Sequence, residues 1–427
     1  MAKTPLLFLC HRMPFPPNKG DKITTFNLLK FLGKHYDIHL GCFIDDDYDR
    51  QYLDELTAMA ASVNVVTLNT ATAKAYGLRA FLSGEPITLP YYYRNSMQKW
   101  VDDVIDRHSI KHLFVYCSSM AQYVSHYSPD DYHKVVHMAD IDSDKWQQYA
   151  DTASGVMRWV YRREAARLAD YERQLVDEFN VCCFISDAET ALFRQRVEPG
   201  LKDKVQTLGN GIDLVFFDPA AEMVLAENHL LDGADYIVFT GAMDYWANAD
   251  AVIWFVSHCW PLIIDKRPEA RFYIVGSKPG KSVQDLETQR GVVVTGRVED
   301  VRPYLSGAAA AVAPMCIARG IQNKILEAMA MQLPVSTTPM GIEGLEGCPN
   351  EMLQVTDDPA LMATWLIEQL DQKPVATTSR RWLADTYSWN AKLSPVLAFL
   401  QNGGPGFDGQ VAMPATPVKT YGEAVNG

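Results

Sequence analysis

The chain has 427 residues and a formal net charge of -13 at pH 7, a length that predicts about two to three domains. Hydrophobic residues make up 48% of it and charged residues 21%, as in globular proteins with a large core. The negative charge argues against general affinity for nucleic acid, and no run of about eighteen apolar residues could span a membrane.

The cysteines and the first residues of the chain predict the cellular compartment of the protein. The eight cysteines form no Cys-x-x-Cys pair, and most lie in apolar, strand-like segments, which is typical of reduced core residues in a cytosolic protein. Met-Ala-Lys-Thr-Pro leads into a short strand without a secretory cleavage pattern. We therefore expect a cytoplasmic protein.

Short apolar segments alternate with helical patterns through the first half of the chain. This βαβ rhythm predicts a mainly parallel sheet, whose ligands collect at the carboxyl ends of the strands. The predicted strands are residues 6–10, 38–43, 63–68, 112–117, 135–138, 181–186 and 205–208.

A proline-rich loop follows the first of these strands and precedes a helical pattern over residues 23–32. We expect Gly20 to let a ligand approach the backbone there, while Lys19 or Lys22 meets its charge. Asp21 stands where the loop enters the helix, so its carboxylate fits a helix N-cap as well as a ligand contact.

Two other strand ends carry polar side chains, Tyr116-Cys-Ser-Ser119 and the segment that begins at His137. His137 with Asp140 and Asp142 fits a general base, a clamp for hydroxyl groups or a metal site. The spacing matches neither tetrahedral nor octahedral ligand sets, so we predict no metal. Hydrogen bonds to sugar hydroxyls or helix capping are favoured for at least two of the acids in this segment.

A long helical pattern over residues 156–180 combines five arginines with Trp159 and Tyr161. A basic aromatic helix can rest on anionic lipid head groups. The same segment carries Glu164, Asp170 and Glu172, which favour a solvated, salt-bridged surface. Weak contact with a membrane surface remains the alternative.

An Asn-Gly turn at Asn210 and Gly211 separates the first series of strands from a second one. The pattern predicts two Rossmann-like domains that face a cleft and hinge at this turn. The second series comprises residues 236–240, 272–275, 292–295, 308–313, 335–338 and 353–355.

We place the domain boundaries from these two series. Residues 1–212 form the first domain, residues 213–379 the second, and a helical segment at 380–401 crosses back to the first. Residues 402–427 are rich in glycine, proline and small polar residues, a composition that predicts disorder.

The pattern of residues 314–334 predicts a loop that contains Arg319 and Gly320, followed by a helix over residues 321–331. Free backbone N–H groups and the helix dipole make such a helix start an anion site. Lys324 adds a positive charge, and Glu327 lies on the same face. The pair suits a nucleotide, with the cation on phosphate and the carboxylate on ribose hydroxyls. An exposed ion pair is the alternative, but the helix is otherwise mostly apolar.

Together these motifs resemble GT-B glycosyltransferases of family four over about residues 5–400. The resemblance is strongest to the sugar transferases associated with the exosortase/PEP-CTERM exopolysaccharide system. The segments that carry it are Gly209-Asn-Gly-Ile-Asp213, Tyr387-Ser-Trp389, and residues 11–21, 140–146 and 318–328.

The resemblance implies a metal-independent, configuration-retaining transfer of sugar from a nucleotide diphosphate sugar, without a cofactor, to a lipid-linked or saccharide acceptor in exopolysaccharide biosynthesis. It also implies that residues 1–212 form the acceptor-side domain and residues 213–379 bind the nucleotide sugar. We expect His137, Asp140, Asp142 or Lys324 to act in catalysis. The residues expected to contact the donor are Gly20, Asp21, Gly241, Arg319, Gly320, Ile321, Gln322, Lys324 and Glu327.

The chain departs from the family pattern at two places. Family-four enzymes usually carry two glutamates eight positions apart; the second matches Glu327, which by analogy holds the ribose, whereas the first position is Arg319. Many also place a basic residue soon after the glycine that matches Gly241, where this chain has residues 243–246, Met-Asp-Tyr-Trp. We expect Lys324 and Arg319 to neutralise the phosphate instead.

Three alternatives to glycosyl transfer were considered. A nucleotide-sugar epimerase of the same fold would need no acceptor. A sugar-nucleotide binding partner without catalytic activity is favoured only by the arginine at position 319. An oxidoreductase would need a Gly-x-Gly-x-x-Gly motif between strand and helix, which neither domain has.

Overall fold

The computed structural model describes residues 3–17, 20–69, 72–73, 76–77, 79–221, 235–317, 321–345, 347–350, 352–372 and 377–402. Within these residues the chain forms one seven-stranded and one six-stranded sheet, each parallel throughout. The predicted fold class is confirmed: two Rossmann-like α/β domains face a cleft.

The first sheet has the strand order β3-β2-β1-β4-β5-β6-β7. Alternate residues of its central strand face opposite layers, with Leu7 and Leu9 in one core and Leu6, Phe8 and Cys10 in the other. Both faces are apolar because helices cover both sides of a parallel sheet. The strands are β1 (Thr4–Cys10), β2 (Tyr36–Ile44), β3 (Ser62–Thr67), β4 (His112–Tyr116), β5 (His133–Ala139), β6 (Val181–Phe184) and β7 (Val205–Thr207).

The helices of this domain are α1 (Gly20–Leu32), α2 (Leu53–Thr57), α3 (Ala80–Ser83), α4 (Thr88–Tyr92), α5 (Asn95–His108), α6 (Asp142–Thr152), α7 (Gly155–Glu178) and α8 (Asp187–Arg194). Short 3₁₀ helices lie at Asp47–Tyr52, Ser118–Tyr123 and Pro199–Lys204.

Two acids of α7 that the sequence assigned to a solvated surface are buried caps of other helices. Glu164 accepts hydrogen bonds from the backbone N–H groups of Ile87 and Thr88, at the start of α4. Glu172 accepts from the backbone and hydroxyl of Ser143 in the first turn of α6. The expectation of a surface ion-pair network is thus wrong for these two residues, because each fills orphan N–H groups at a helix start.

The second sheet has the order β10-β9-β8-β11-β12-β13. Its strands are β8 (Tyr236–Thr240), β9 (Arg271–Val275), β10 (Val292–Gly296), β11 (Ala310–Ala313), β12 (Val335–Thr337) and β13 (Leu353–Val355). Its helices are α9 (Trp246–His258), α10 (Trp260–Lys266), α11 (Lys281–Gln284), α12 (Arg302–Ser306), α13 (Asn323–Ala330) and α14 (Pro359–Gln372), with a 3₁₀ helix at Asp285–Thr288. Every strand predicted from the sequence overlaps one of the thirteen observed in the described residues.

The segment expected as one returning helix is three helices, α15 (Thr377–Thr386), α16 (Trp389–Leu393) and α17 (Pro395–Asn402). Leu383 belongs to the core of the second domain, whereas Val396 and Leu400 belong to the core of the first. The predicted return to the first domain is therefore confirmed. Asn402 is the last residue of α17, and residues 403–427 lie outside the described part of the chain.

The two connections between the domains run side by side. Ile212 forms an isolated parallel bridge with Ser388, and its backbone N–H donates to Tyr387 O at 2.7 Å. Beside this bridge a Cβ on Gly211 would lie 2.5 Å from Trp389 N. A glycine is required at position 211 because backbone approaches backbone there. The predicted hinge residues thus lie where the chain crosses between the domains.

Substitution of Gly211 by alanine is expected to lower stability, because a methyl group there pushes the two crossings apart. Overpacking of this kind costs about 1–3 kcal/mol. We expect a lower midpoint in urea unfolding, whereas Gly200→Ala, whose Cβ would meet nothing within 4 Å, should leave the midpoint nearly unchanged. Equal midpoints for the two variants would contradict the close approach.

Candidate active site

The carboxyl ends of β8, β9 and β10 and the start of α13 surround an open pocket of about 1040 Å³. Its position at the strand ends of a parallel α/β sheet is where such folds bind ligands. Tyr48 is the one lining residue from the first domain among the described residues. The lining from the second domain includes Gly241, Asn248, Gly276, Lys278, Arg297, Asn323, Lys324 and Glu327.

Two glycines bring the backbone of neighbouring strand ends together at the floor of this pocket. A Cβ on Gly276 would fall on the carbonyl oxygen of Gly241, so position 276 cannot carry a side chain without moving the backbone. A Cβ on Gly241 would lie 2.7 Å from the side-chain nitrogen of Asn248. The floor is therefore bare backbone, which a flat or charged ligand can approach closely.

The start of α13 forms one wall of the pocket. The helix begins at Asn323 rather than at the predicted residue 321, because Gln322 is extended (φ -88°, ψ 103°). No side chain caps the helix start, and the Lys324 ammonium donates to the side-chain oxygen of Gln322 at 3.2 Å. Uncapped N–H groups and a lysine in the first turn leave a positive end at the pocket.

Burial governs the electrostatics of the predicted Lys324 and Glu327 pair. Burial lowers the pKa of Lys324 to about 8, although Glu327 raises it in part. Burial raises the pKa of Glu327 to about 7, although Lys324 lowers it in part. For each group the loss of water outweighs the attraction of the other. Lys324 is still mostly protonated at neutral pH, and an anionic ligand would stabilise that charged form further.

Two cations of the pocket were missed by the sequence reasoning. Lys278 and Arg297 line it, and the ammonium of Lys278 lies 3.1 Å from the Asp244 carboxylate. Lys278 and Arg297 are therefore further candidates for neutralising phosphate, beside the expected Lys324 and Arg319. Arg297 comes directly after β10 and Lys278 three residues after β9, so the rule that ligands collect at strand ends could have found both.

Several predicted donor contacts do not line this pocket. Ile321 lines a second pocket between the domains, and Gln322 holds Lys324 in place. Arg319, Gly320 and Lys19 lie outside the described residues. The roles expected of those three stay predictions.

The second pocket, of about 760 Å³, lies between the domains and shares Asn323 with the first. Asn323 thus marks the place where the two pockets meet. The polar side chains that line the second pocket are Asp140, Asp144, Lys145, Gln148, Ser186, Glu189, Asn210, Asn323 and Glu343.

The predicted acids after β5 have separate environments. Asp140 is exposed in the second pocket. Asp142 opens α6 and accepts from the Ser118 hydroxyl at 3.3 Å, and burial raises the pKa of its carboxyl group. Asp144 pairs with both terminal nitrogens of Arg196, at 2.8 and 2.7 Å. Asp140 thus faces the second pocket, whereas Asp144 is held by Arg196 and Asp142 does not line the pocket, which favours Asp140 as a ligand contact.

The expectation that His137 acts in the site is corrected by its surroundings. The residue is fully buried; its Nε2 lies 2.8 Å from Leu208 O, and its Nδ1 accepts from the Ala139 N–H at 3.0 Å. Burial lowers its pKa to about 4. Both ring nitrogens are used by the backbone, so His137 ties β5 to the end of β7 and does not face a ligand.

The loop before α1 is more internally paired than expected. Lys22 is buried and binds both carboxylate oxygens of Asp49 at 2.9 Å, so the charge it meets belongs to the protein. Gly20 opens α1, and a Cβ there would meet nothing within 4 Å. Asp21 in the first turn binds Arg12 at 2.8 Å. Neither Gly20 nor Asp21 lines either of the two pockets.

Asn210, one of the two predicted hinge residues, connects the crossing to α1. Its side-chain oxygen accepts a hydrogen bond of 2.8 Å from the Thr24 hydroxyl, and the residue lines the second pocket. A movement at the hinge would therefore change the lining of the pocket between the domains.

Within the described residues, no group of three or more His, Cys, Asp and Glu side chains is placed to hold a metal ion. In the same residues no single helix is long and apolar enough to cross a membrane. The bent pair α9 and α10 meets that test by length and composition alone.

Residues 234–372 match a family model described as Glycosyl transferases group 1. A curated relative, an uncharacterized 44.6 kDa protein in the cps region of Klebsiella pneumoniae, is 22% identical over 139 residues. That alignment covers 31% of this chain and 36% of the relative, so the chain matches about a third of the relative's length.

Solved structures extend the likeness to both domains. A sucrose-phosphate synthase from Thermosynechococcus elongatus aligns with a TM-score of 0.61 and 14% identity over 93% of this chain and 98% of its own. WaaG, a glycosyltransferase involved in lipopolysaccharide biosynthesis, aligns with a TM-score of 0.58 and 14% identity over 93% of this chain and 100% of its own. Anabaena HepE in complex with UDP and glucose aligns with a TM-score of 0.58 and 14% identity over 93% of this chain and 99% of its own.

The architecture and these likenesses define the class. The chain has the GT-B fold, and its second domain carries the match to group 1 glycosyl transferases. The pocket at Gly241, Gly276 and α13 lies within that matched region, apart from Tyr48.

The raised pKa of Glu327 predicts a pH-dependent stability. The unfolded carboxyl group ionises near 4.5, whereas the folded one stays protonated to about 7, so this group costs stability as pH rises between those values. Glu327→Gln should therefore gain stability relative to the wild type over that range, measured as thermal midpoints. The exposed Glu198, changed to glutamine, should show no such trend; a constant difference for Glu327→Gln would contradict the burial of its carboxylate.

Proposed function

We propose that the protein is a retaining glycosyltransferase that moves a sugar from a nucleotide diphosphate sugar to a lipid-linked or saccharide acceptor. The observation that carries this proposal is the pocket at the positive end of α13, which meets the pocket between the domains at Asn323. Donor and acceptor would then share one point of contact.

The donor fits the first pocket by charge and shape. The start of α13, with Lys324, and the side chains of Lys278 and Arg297 offer positive charge for a diphosphate. Glu327 lies three residues beyond Lys324 and is available for ribose hydroxyls. HepE, which is similar in fold, was solved with UDP and glucose, and this supports a nucleotide sugar as donor.

Transfer breaks the bond between the sugar's anomeric carbon and the diphosphate, and joins that carbon to an acceptor oxygen that loses its proton. Negative charge grows on the leaving diphosphate, where Lys324 and the N–H groups of α13 would stabilise it. Exclusion of water as the domains approach would strengthen these interactions. The protein's own cations suffice for this role, so we propose a reaction without metal or cofactor.

The acceptor would lie in the second pocket. Asp140 and Glu189 of the first domain and Glu343 of the second supply hydrogen-bond acceptors for sugar hydroxyls. Burial raises the pKa of Glu189 to about 7, which suits exchange of a proton near neutral pH. Asp142 lies deeper and would act on the position of the neighbouring loop.

The biological setting is proposed from two supports. The sequence resembles the transferases associated with the exosortase/PEP-CTERM exopolysaccharide system, and the relative in the cps region of Klebsiella pneumoniae is similar over 139 residues. We propose a role in exopolysaccharide biosynthesis at the inner face of the cytoplasmic membrane.

The start of α7 supports weak contact with that membrane. Val156, Met157 and Trp159 are 76%, 48% and 60% exposed, and the exposed Arg162 and Arg167 follow on the same helix. Apolar tips beside cations suit an anionic lipid surface. A chain of net charge -13 would approach such a surface only through a local basic region.

The function is tested by incubating the full chain with uridine, guanosine, adenosine and thymidine diphosphate sugars, with and without a polyprenyl-linked acceptor. We expect one donor to give an acceptor-dependent product with the donor's anomeric configuration, also in the presence of a chelator. Interconversion of the donor without acceptor would indicate an epimerase, and binding without turnover a silent binding partner; either result would overturn the proposal.

Lys324→Ala is expected to weaken donor binding and turnover. Loss of a hydrogen bond to a charged group costs about 1.5–3 kcal/mol, or about 10- to 100-fold in affinity. The readouts are thermal shift with the nucleoside diphosphate and turnover with the full donor. Lys266→Ala, on the exposed side chain of α10, is the control; unchanged affinity and turnover for Lys324→Ala would remove Lys324 from the site.

Contact with lipid is tested by sedimentation with vesicles of anionic or neutral phospholipid. We expect binding to the anionic vesicles alone, weaker at high salt, and reduced several-fold in Trp159→Ser. Trp246→Ser removes an equally exposed indole from the second domain and should bind like the wild type. Equal binding of both variants would exclude the start of α7 as the contact.

A further inference from the structure

Two neighbouring strands of the first sheet end together and place His11 beside Cys117. Cys10 of β1 pairs with Tyr116 of β4, and the next residue of each strand is His11 or Cys117. The backbone of Cys117 has φ 81°, in the left-handed region that a side chain other than glycine's rarely adopts. Such a conformation at a strand end marks a position held by its surroundings.

The His11 ring is fixed on three sides. Its Nε2 lies 3.2 Å from the Asp21 carboxylate, it stacks on Tyr116 at 6.1 Å, and it meets Tyr92 edge-on at 5.9 Å. Within the described residues its Nδ1 is buried without a well-aligned hydrogen-bond partner. Cys117 is the neighbour of His11 across the two strand ends, and each of the two side chains shifts the pKa of the other.

The charges of this cluster favour an ion pair between the two side chains. Burial lowers the pKa of His11, but Cys117 and Asp21 outweigh it and raise the value to about 10. Burial raises the pKa of the Cys117 thiol, but His11 outweighs it and the value is lowered. The other groups facing the pair are Arg12, Tyr92, Tyr116, Asp142 and Ser119.

Six other cysteines show the opposite trend. Burial raises the pKa of the thiols of Cys10, Cys182, Cys183, Cys259, Cys316 and Cys348. Cys316 is the exposed one, and the nearby Asp250 adds to the rise. Cys117 is half-buried, so accessibility alone would make Cys316 the more reactive of the two.

We propose that Cys117 and His11 form a thiolate–imidazolium pair positioned by Asp21, which makes Cys117 a nucleophilic site for covalent modification by soft electrophiles. With iodoacetamide the thiolate sulfur bonds to the methylene carbon, the carbon–iodine bond breaks and iodide leaves. The proton stays on His11. This site does not depend on glycosyl transfer, since its readout is the adduct itself.

The test is the rate of alkylation of the full chain by iodoacetamide, followed for each cysteine by mass spectrometry of its peptide. Because only the thiolate reacts, we expect Cys117 to react at least about tenfold faster than Cys316 at pH 6.5 to 7. Its rate should also fall less steeply at lower pH. The thiolate absorbance lost in Cys117→Ser at neutral pH gives a second measure that needs no access for the reagent.

The matched variant is His11→Gln, which removes the imidazolium and keeps a polar side chain. We expect the rate at Cys117 to drop about tenfold and its pH profile to move upward, while the rate at Cys316 stays the same and reports an intact fold. The proposal is overturned if Cys117 reacts no faster than Cys316 and Cys117→Ser loses no thiolate absorbance. It is equally overturned if His11→Gln leaves both measures unchanged.

Discussion

The pairing of the two interdomain crossings is the constraint on which the rest of the molecule depends. Ile212 is bridged to Ser388, and Gly211 lies against the backbone of Trp389. Residues after this point return to the first core through α17. The chain thus passes between the domains twice at one place, so the two halves of the cleft are held at a common axis. Asn210, next to this crossing, lines the second pocket and is hydrogen-bonded to Thr24 of α1.

Several ionisable side chains of the two domains have little access to water, and this shifts their pKa values. Loss of water lowers the pKa of Lys324 to about 8 and raises that of Glu327 to about 7, whereas close partners hold His11 and Asp21 in their charged forms. Burial raises the pKa of Asp21, but His11 and Arg12 outweigh it and keep the value well below its ordinary range. In the second domain, an anionic ligand would therefore favour the charged form of Lys324. In the first domain, the charged groups are already paired with one another.

The sequence was sufficient for the strands, since apolar segments between turns show where a covered parallel sheet runs, and for the placement of α13 at the pocket. It was insufficient wherever a partner lies far along the chain. His137 looked catalytic because its bond to Leu208 is invisible in the local pattern, and Glu164 looked solvated although it caps α4. Lys278 and Arg297 follow β9 and β10, whereas the family pattern indicates a cation only in the loop after β8.

Tyr48 has a consequence for the evolution of this architecture. All other described residues that line the first pocket fall between Thr240 and Glu327, inside the stretch that matches the family model. Recombination of that stretch with a homologous gene would exchange almost the whole pocket in one event. Tyr48 would then be the one described lining residue of this pocket that the recipient still supplies, so a mismatch within the pocket of a chimaera would first show at its ring.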